Sequence, residues 1–244
     1  HFNPGGASGL GSGGVAVDAQ ARGRWPWGTK MVYRDGRCFR YALKSGADSV
    51  AGDLQQSRAA VANHIGIAVQ TAVVVGDRSI LVTLGATAAT INEYEGGYLV
   101  MEGTSGHGYC YEVGPHAAHA GGGTMTVPLA GGNTAQALAT TSGTVSLIHN
   151  PYRTVIVFPT TPLAQVAGVS PRVITASRAG WLQTHGTAAV FCTGTLTLDG
   201  MAVPSTATAG SVMPSAASTS PQVGIVQRVA AAASVATVFL TIDG

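Results

Sequence analysis

The sequence predicts a mainly β protein, and three observations lead to that prediction. Glycine accounts for 34 of the 244 residues, and tracts of Ala, Thr and Ser surround it; this composition favours turns and short strands over long helices. Hydrophobic residues make up 45% of the chain and charged residues 10%, so the chain can bury a core and is too apolar to be disordered. The apolar runs are short and end at Gly, Asn, Asp or Pro, as strands do.

Composition divides the chain into four parts. Residues 1–23 are expected to form an extended, flexible arm, because glycines are costly to order and few side chains are present to bury. A β-rich domain with one short helix is predicted over 24–158, and a Pro-containing linker over 159–170. A small domain resembling a β-barrel or sandwich is predicted over 171–244. The chain begins at His1 instead of Met, which indicates processing or truncation of unknown origin.

Two local signals define the start of the first domain. Arg34-Asp35-Gly36-Arg37 separates two apolar runs, and Asp-Gly in that setting predicts a β-hairpin. The segment DLQQSRAAVANH, residues 53–64, predicts the one short helix, with Asp53 as its N-cap and Leu54 and Val61 at helical spacing.

From residue 65 onward, strand-like runs alternate with turn clusters. In the first domain the runs are IGIAVQTAVVVG, RSILVTLG, GGYLVMEG, GYCYEVG, TMTVPL, TVSLIHN and RTVIVFP. In the second they are RAGWLQTHG, AAVFCTGTLTLDG, SVMPS, VGIVQR and ATVFLTIDG. Within GWLQTHG, Gly180 and Gly186 are expected to end a strand that places Trp181 and His185 on one face. Trp181 is therefore a candidate for packing in the barrel or against a neighbouring subunit.

Charge is unevenly distributed along the chain. The formal net charge is +2, but residues 1–60 contain eight Lys and Arg residues against four Asp residues. This basic segment fits an acidic protein surface better than nucleic acid, because it has no Lys/Arg run and no pattern of aromatics for base stacking.

Neither disulfide nor membrane chemistry is indicated. Cys38, Cys110 and Cys192 lie far apart without a CxxC pair, which predicts small buried hydrophobes and no zinc cluster. The longest nearly apolar run, residues 229–242, is short and interrupted by Ser and Thr, so we expect a soluble protein that makes no membrane contact.

Two glycine-rich motifs match catalytic or cofactor patterns only superficially. GLGSGG, residues 9–14, has the spacing of a dinucleotide-binding loop but lacks the preceding strand and following helix that would place a pyrophosphate on a helix N-terminus. GTSGHG, residues 103–108, has His where a nucleophile elbow needs a second Gly.

Histidine and glutamate pairs are expected to be solvated. His116 and His119 form HAAH in a glycine-rich stretch without a nearby third metal ligand, which predicts a solvated loop. Glu93 and Glu95 fall on one face if the segment is a strand, and two solvent-facing carboxylates are commoner than a catalytic dyad. We therefore expect no catalytic residue, no cofactor and no metal.

The order of segments resembles structural proteins of tailed-bacteriophage virions, in particular capsid decoration or cement proteins. The resemblance rests on GTKMVYRDGRCFRYAL, AGDLQQS, VTLGATAATINEYEGGYLVMEG, SLIHNPY, GWLQTHGTAAVFCTGTLTLDGMAVPSTATAGSV and VGIVQRV followed by TVFLTIDG. It implies a non-enzymatic protein on the outer capsid surface that binds the major capsid protein and stabilises the head. A homotrimer at local threefold positions is the expected oligomer.

Three functions remain distinguishable at this point. For the cement protein, the capsid-contact candidates are Arg22, Arg24, Trp25, Trp27, Lys30 and Arg34. The alternative is a fibre, spike or head-fibre component that binds host glycan on a platform of Glu93, Tyr94 and Tyr98. A polysaccharide hydrolase is the third possibility, and it would need two carboxylates in a cleft.

Overall fold

The structure is a computed structural model that confirms the mainly β class. It describes residues 25–102, 107–132, 134–135, 137–139, 143–216 and 221–243. Across these residues strands dominate and helix is almost absent. The predicted arm and the GLGSGG motif lie outside the described residues, as do Arg22, Arg24 and most of the GTSGHG motif.

The described residues contain sixteen strands and one single-turn 3-10 helix, Ala62–His64. In chain order the strands are β1 (Lys30–Val32), β2 (Cys38–Leu43), β3 (Leu54–Gln56), β4 (Ile67–Ala68), β5 (Ser79–Thr83), β6 (Tyr98–Met101), β7 (Cys110–Glu112), β8 (Thr124–Pro128), β9 (Thr144–Ile148), β10 (Ile156–Val157), β11 (Val166–Val169), β12 (Ala179–Cys192), β13 (Met201–Pro204), β14 (Val212–Pro214), β15 (Gly224–Arg228) and β16 (Ser234–Thr241).

The chain divides into two compact units that differ from the predicted domains. Unit 1 combines the residues up to 58 with those from 151 onward, and unit 2 consists of residues 59–150. The stretch 159–170, predicted as a linker, contains β11, which pairs with both β3 and β12. Strand pairing between distant segments therefore determines the boundaries of the two units. A change in local composition does not predict these boundaries.

The long strand β12 organises unit 1. Its first half pairs with β2 and its second half with β16, with a register shift between Gln183 and His185. The side-chain amide of Gln183 donates to the carbonyls of His185, Gly186 and Thr187 at 3.1, 3.3 and 2.9 Å. These bonds satisfy backbone carbonyls at the bulge. β12 can therefore change pairing partner there, from β2 to β16. The prediction that Gly186 ends the strand is wrong, because β12 continues through Gly186 to Cys192; Gly186 follows the bulge and has φ of 84°.

The C-terminal strands close a five-stranded β-barrel. β12, β14, β13, β15 and β16 pair in that order, and β16 returns to β12. Branched and small apolar side chains fill the interior, among them Ala188, Val190, Val212, Val226 and Val238. The small barrel predicted for the C-terminal part of the chain is thus confirmed.

The short helix predicted over 53–64 is wrong. Leu54 instead begins β3, which pairs with β10 and β11, and its N–H donates to the carbonyl of Gly210 at 2.7 Å. Asp53 does accept a backbone hydrogen bond through its carboxylate, but the donor is Val50, in a turn before the strand. Partner strands from distant parts of the chain override the helical spacing of the apolar residues.

Unit 2 contains two small antiparallel sheets around one core. Strands are ordered β4-β9-β6-β7 in the four-stranded sheet, while β5 pairs with β8. The largest buried side chains of the core include Ile80, Leu99, Met101, Met125 and Leu147. Buried residues alternate with more exposed ones along β5, β6 and β8, as the period of a half-buried strand requires.

The predicted hairpin at Asp35-Gly36 is confirmed. β1 and β2 pair antiparallel on either side of it, and the N–H of Tyr33 donates to the carbonyl of Arg37 at 2.9 Å. Gly36 has φ of 83°, in the left-handed region that a residue with a side chain rarely adopts.

Candidate interaction surface and buried polar cluster

An aromatic cluster of Trp25, Trp27, Tyr41 and Trp181 anchors the first described residues to the sheet of unit 1. The Trp181 ring lies 5.1 Å from Tyr41 and 5.5 Å from Trp25, and Trp27 stacks on Tyr41 at 5.4 Å. Tyr41 is fully buried and Trp181 is 5% exposed, whereas Trp25 and Trp27 are half-buried. Trp181 thus packs inside its own chain, and the two N-terminal tryptophans keep one side accessible.

Asp243 forms ion pairs with two cations that face each other on the hairpin. Lys30 on β1 lies directly opposite Arg40 on β2. Arg40 donates to both Asp243 carboxylate oxygens at 2.8 and 2.9 Å, and Lys30 Nζ lies 3.4 Å from Oδ2. Hydrogen bonds from the Arg40 guanidinium lower the pKa of Asp243, and the same bonds raise the pKa of Arg40. Lys30, predicted as a docking cation, therefore also has a role within the fold.

The other predicted docking residues differ in their surroundings. Arg34 is exposed in the hairpin turn, where its charge faces solvent. Trp25 and Trp27 belong to the aromatic cluster. Sequence reasoning did not single out Arg37, Arg40 or Asp243, although the Asp-Gly turn would have placed Lys30 opposite Arg40 through the hairpin register.

A pocket of about 320 Å³ lies between this hairpin turn and the bulge of β12. Arg37 crosses it from the turn: its N–H and Nε donate to the Asp35 carboxylate at 3.1 and 2.7 Å. These hydrogen bonds from Arg37 lower the pKa of Asp35. His185 and Phe239 line the opposite side, with their rings edge to face at 5.1 Å.

The core of unit 2 contains a polar cluster around Tyr94, which is fully buried. His149 stacks on the Tyr94 ring at 4.7 Å and His116 at 6.0 Å, while His64 meets it edge-on at 5.6 Å. The Tyr94 hydroxyl is hydrogen-bonded to Nδ1 of His64, whose Nε2 lies 2.8 Å from the carbonyl of Thr87. The cluster joins the 3-10 helix, the turn at residues 91–96, the loop that contains His116 and the end of β9, so it holds these four segments together.

Glu93 belongs to the same cluster. Its Oε1 lies 3.2 Å from Nε2 of His149, and its Oε2 accepts from the N–H and hydroxyl of Thr90 at 2.7 and 3.1 Å. Both partners of this acid–histidine pair are almost completely buried. Nδ1 of His149 is also buried and has no hydrogen-bond partner among the described residues.

Three predictions about this region are wrong. Glu93 and Glu95 do not lie on a strand, since residues 91–96 form turns and Asn92 has φ of 55°. His116 is not solvated: it is 6% exposed, its Nε2 accepts from the N–H of Tyr94 at 3.0 Å, and its Nδ1 contacts the carbonyl of Ala117. Glu93 and Tyr94 are buried, so the glycan platform proposed on them and Tyr98 does not exist as a surface. These polar groups are buried because they are hydrogen-bonded within the core, and composition alone does not predict such pairing.

Lys44 is a buried cation in unit 1. Its side chain is 1% exposed, and Nζ donates to the carbonyl of Ser45 at 2.9 Å. Burial lowers the pKa of Lys44 to about 8, while the charges of Asp53 and Asp48 oppose that shift. Burial likewise raises the pKa of Asp53. Desolvation therefore disfavours the charged form of both Lys44 and Asp53.

The cysteines are free, and one of them differs from its prediction. Cys38 and Cys192 are buried, as expected of small hydrophobes, but Cys110 is exposed on β7. Among the described residues, no group of three or more His, Cys, Asp or Glu side chains is arranged to hold a metal ion. In the same part of the chain, no helix has the length and apolar character needed to span a membrane.

The fold and these sites define a mainly β protein with a closed five-stranded barrel, a basic aromatic hairpin and a polar cluster buried in a second unit. No protein-family model matches the sequence, and no curated protein or solved structure is significantly similar to it.

Proposed function

We propose that this protein is a non-enzymatic decoration protein of a tailed-bacteriophage virion, which binds the outer surface of the major capsid protein lattice and stabilises the head. The resemblance of its segments to capsid cement proteins suggested this function, and one surface of the barrel supports it. The proposed assembly form is a homotrimer at local threefold positions.

The supporting surface is the outward side of β12, β16, β15 and β13, here called the neutral barrel face. One row of cross-strand neighbours runs over it: Thr187 pairs with Phe239, Phe239 with Ile225, and Ile225 with Met201. Met201 and Ile225 are 41% and 40% exposed. A row of exposed apolar side chains on adjacent strands is what a protein contact needs, because it can be removed from water without desolvating charge.

Two further rows of outward positions follow, and the first of them ends at Arg228, which pairs with Thr237. Ala189 pairs with Thr237 and Phe191 with Val235, which is 40% exposed. Arg228 crosses this end, where its guanidinium donates to the Thr237 hydroxyl and the Val235 carbonyl. Its charge is thus held close to the sheet and leaves the apolar row accessible.

The hairpin supplies a second contact region of opposite character. Arg34 is exposed in its turn, and Trp25 and Trp27, which precede β1, are half-buried. In the proposed assembly the neutral barrel face supplies buried contact area and the hairpin attracts an acidic capsid surface. Cations at the rim of an interface act mainly on association rate.

The test is binding to capsids assembled without the protein. Ile225→Lys places a charge in the neutral barrel face and should weaken binding by at least about ten-fold, since the ammonium must be desolvated. Val173→Lys is the matched control, because Val173 is 54% exposed in unit 1 but not on that face. Equal binding of the two variants would remove the barrel face from the proposal.

Copy number per particle distinguishes a cement protein from a fibre or spike component, and mass determines the oligomeric state. Occupancy on the order of hundreds of copies per particle is expected of a cement protein that covers a lattice by symmetry. Occupancy of tens or fewer would instead favour a fibre or spike component. A mass of three chains in solution or on the particle is the expected result for the oligomer.

A further inference from the structure

The pocket between the hairpin turn and the β12 bulge has the chemistry of a small ligand site. Its volume of about 320 Å³ falls at the lower end of the range for ligand pockets. Two glycines, Gly36 and Gly186, contribute to its lining, so backbone is accessible there. A Cβ on Gly36 would meet no atom within 4 Å, which places open space in front of that backbone.

Arg37 is held in place before any ligand arrives. Asp35 engages its Nε, and the guanidinium lies 5.5 Å from the Tyr33 ring and 5.8 Å from the Phe39 ring. A Cβ at Gly186 would lie 2.9 Å from Cγ of Arg37, so the glycine lets the arginine stem approach the bulge. The terminal amino groups of the guanidinium have no hydrogen-bond partner among the described residues, and they remain available as oriented donors.

His185 supplies a second unused polar group. Its ring makes no hydrogen bond to a described residue; Nδ1 is buried, so only Nε2 is available to a ligand. The ring is positioned by its edge-to-face contact with Phe239, which lines the same pocket. Thr187 adds a hydroxyl, which donates to Gln227 and keeps acceptor capacity.

These groups select the class of ligand. The two formally charged residues of the pocket, Asp35 and Arg37, neutralise each other, so the site offers no net charge for an ion. It presents carboxylate and hydroxyl acceptors, guanidinium donors and an aromatic ring around one small space. We propose that the pocket binds one uncharged pyranose residue, whose hydroxyl rim matches these donors and acceptors and whose C–H face matches Phe239.

This inference does not rest on the proposed capsid function. The pocket differs from the glycan platform considered from the sequence, since none of the residues of that platform lines it. Thr187 and Phe239 belong both to this pocket and to the neutral barrel face, so sugar binding is measured on the free protein. The two proposals fail on different measurements, one on sugar binding and the other on capsid binding.

The experiment is a ¹H–¹⁵N NMR titration of the full chain with methyl glycosides of glucose, galactose, mannose and N-acetylglucosamine at millimolar concentration. At least one sugar should shift the signals of residues 35–37 and 185–187 in a saturable manner. The matching disaccharides form a second arm: tighter binding identifies a glycan chain as the source, and equal binding identifies a single sugar. Absence of a saturable shift with every sugar would overturn the proposal.

Two matched pairs of variants locate the site. Thr187→Trp fills the pocket and should abolish the shifts, whereas Ala189→Trp, on the next outward position of β12, should leave them unchanged. Arg37→Gln should weaken binding at least about ten-fold, and Arg34→Gln in the same turn should not. If Thr187→Trp does not fold, the comparison of Arg37→Gln with Arg34→Gln tests the location of the site. Binding that is equal within both pairs would place the sugar elsewhere and overturn the proposal.

Discussion

The backbone N–H of Tyr94 donates a hydrogen bond to Nε2 of His116 at 3.0 Å. An imidazole nitrogen can accept that bond only while it carries no proton. The folded state of unit 2 therefore requires neutral His116, even though the HAAH motif suggests a solvated loop.

Acid should destabilise unit 2 through this bond. In the unfolded chain a histidine binds a proton near pH 6.5, but the folded state excludes a proton from Nε2 of His116. The unfolded state then binds more protons, so the stability of unit 2 falls as the pH is lowered through the range in which histidine is protonated. Hydrogen exchange of the Tyr94 amide between about pH 7.5 and pH 5, corrected for intrinsic exchange, measures the change.

Variants of the two motif histidines isolate the cause. His116→Gln keeps an acceptor of similar reach that does not titrate, so it should reduce the pH dependence of Tyr94 protection. His119→Gln is the control, because His119 is only half-buried. Since Glu93, His64 and His149 face the same tyrosine, an unchanged pH profile in His116→Gln would assign the effect to them.

The aromatic cluster should dominate the stability of unit 1 around β2. Trp181→Ala removes a side chain that packs on Tyr41 and Trp25, and should lower the free energy of unfolding by about 3–5 kcal/mol. His185→Ala, four positions along the same strand, should change it by less than about 1 kcal/mol, because its ring makes no hydrogen bond to a described residue. Thermal melts of both variants check the order; a reversed order would contradict the packing role of Trp181.

Lys44 should make unit 1 more stable in alkali than at neutral pH. Its pKa of about 8 in the folded state lies below the ordinary value of 10.5. Between these values the unfolded chain holds a proton that the folded chain has lost, so stability rises with pH across that window. Below the window, the ammonium is charged in both states and its burial cost remains.

Lys44→Met should remove that pH dependence. The variant should also stabilise the protein at neutral pH by roughly 1–2 kcal/mol, less than the full shift would imply, because solvent screens part of the charge and the bond to Ser45 is lost. Denaturant melts at about pH 7 and pH 10 provide the comparison. A variant that retains the alkaline gain would show that another group titrates in this range.

Capsid binding should weaken as salt rises if the hairpin cations attract an acidic surface. Arg34→Gln should lower the association rate by roughly two- to five-fold at low ionic strength and reduce its salt dependence. Arg78→Gln, an exposed arginine in unit 2, is the matched control. Association rates on capsids at several salt concentrations measure both; a rate insensitive to salt would point to an entirely apolar contact.

The sequence was informative where local pattern decides structure. The Asp35-Gly36 hairpin follows from turn residues between apolar runs, and its register places Lys30 opposite Arg40. The alternation of buried and exposed positions in β5 and β8 follows from period-two patterning. A mainly β fold with a small C-terminal barrel could be predicted because these signals recur along the chain.

Tertiary structure alone decided the features that depend on distant partners. Leu54 became part of a strand because β10 and β11 flank it, despite its helical spacing. His116, Glu93 and Tyr94 became core residues because their hydrogen bonds are satisfied inside the fold. The Tyr94 N–H donates to His116, His149 pairs with Glu93, and His64 bonds the Tyr94 hydroxyl. Likewise, Arg37 and His185 meet at one pocket only after β2 pairs with β12. Local sequence specifies turns and strands, whereas pairing across the chain determines which polar groups are buried and which converge on a site.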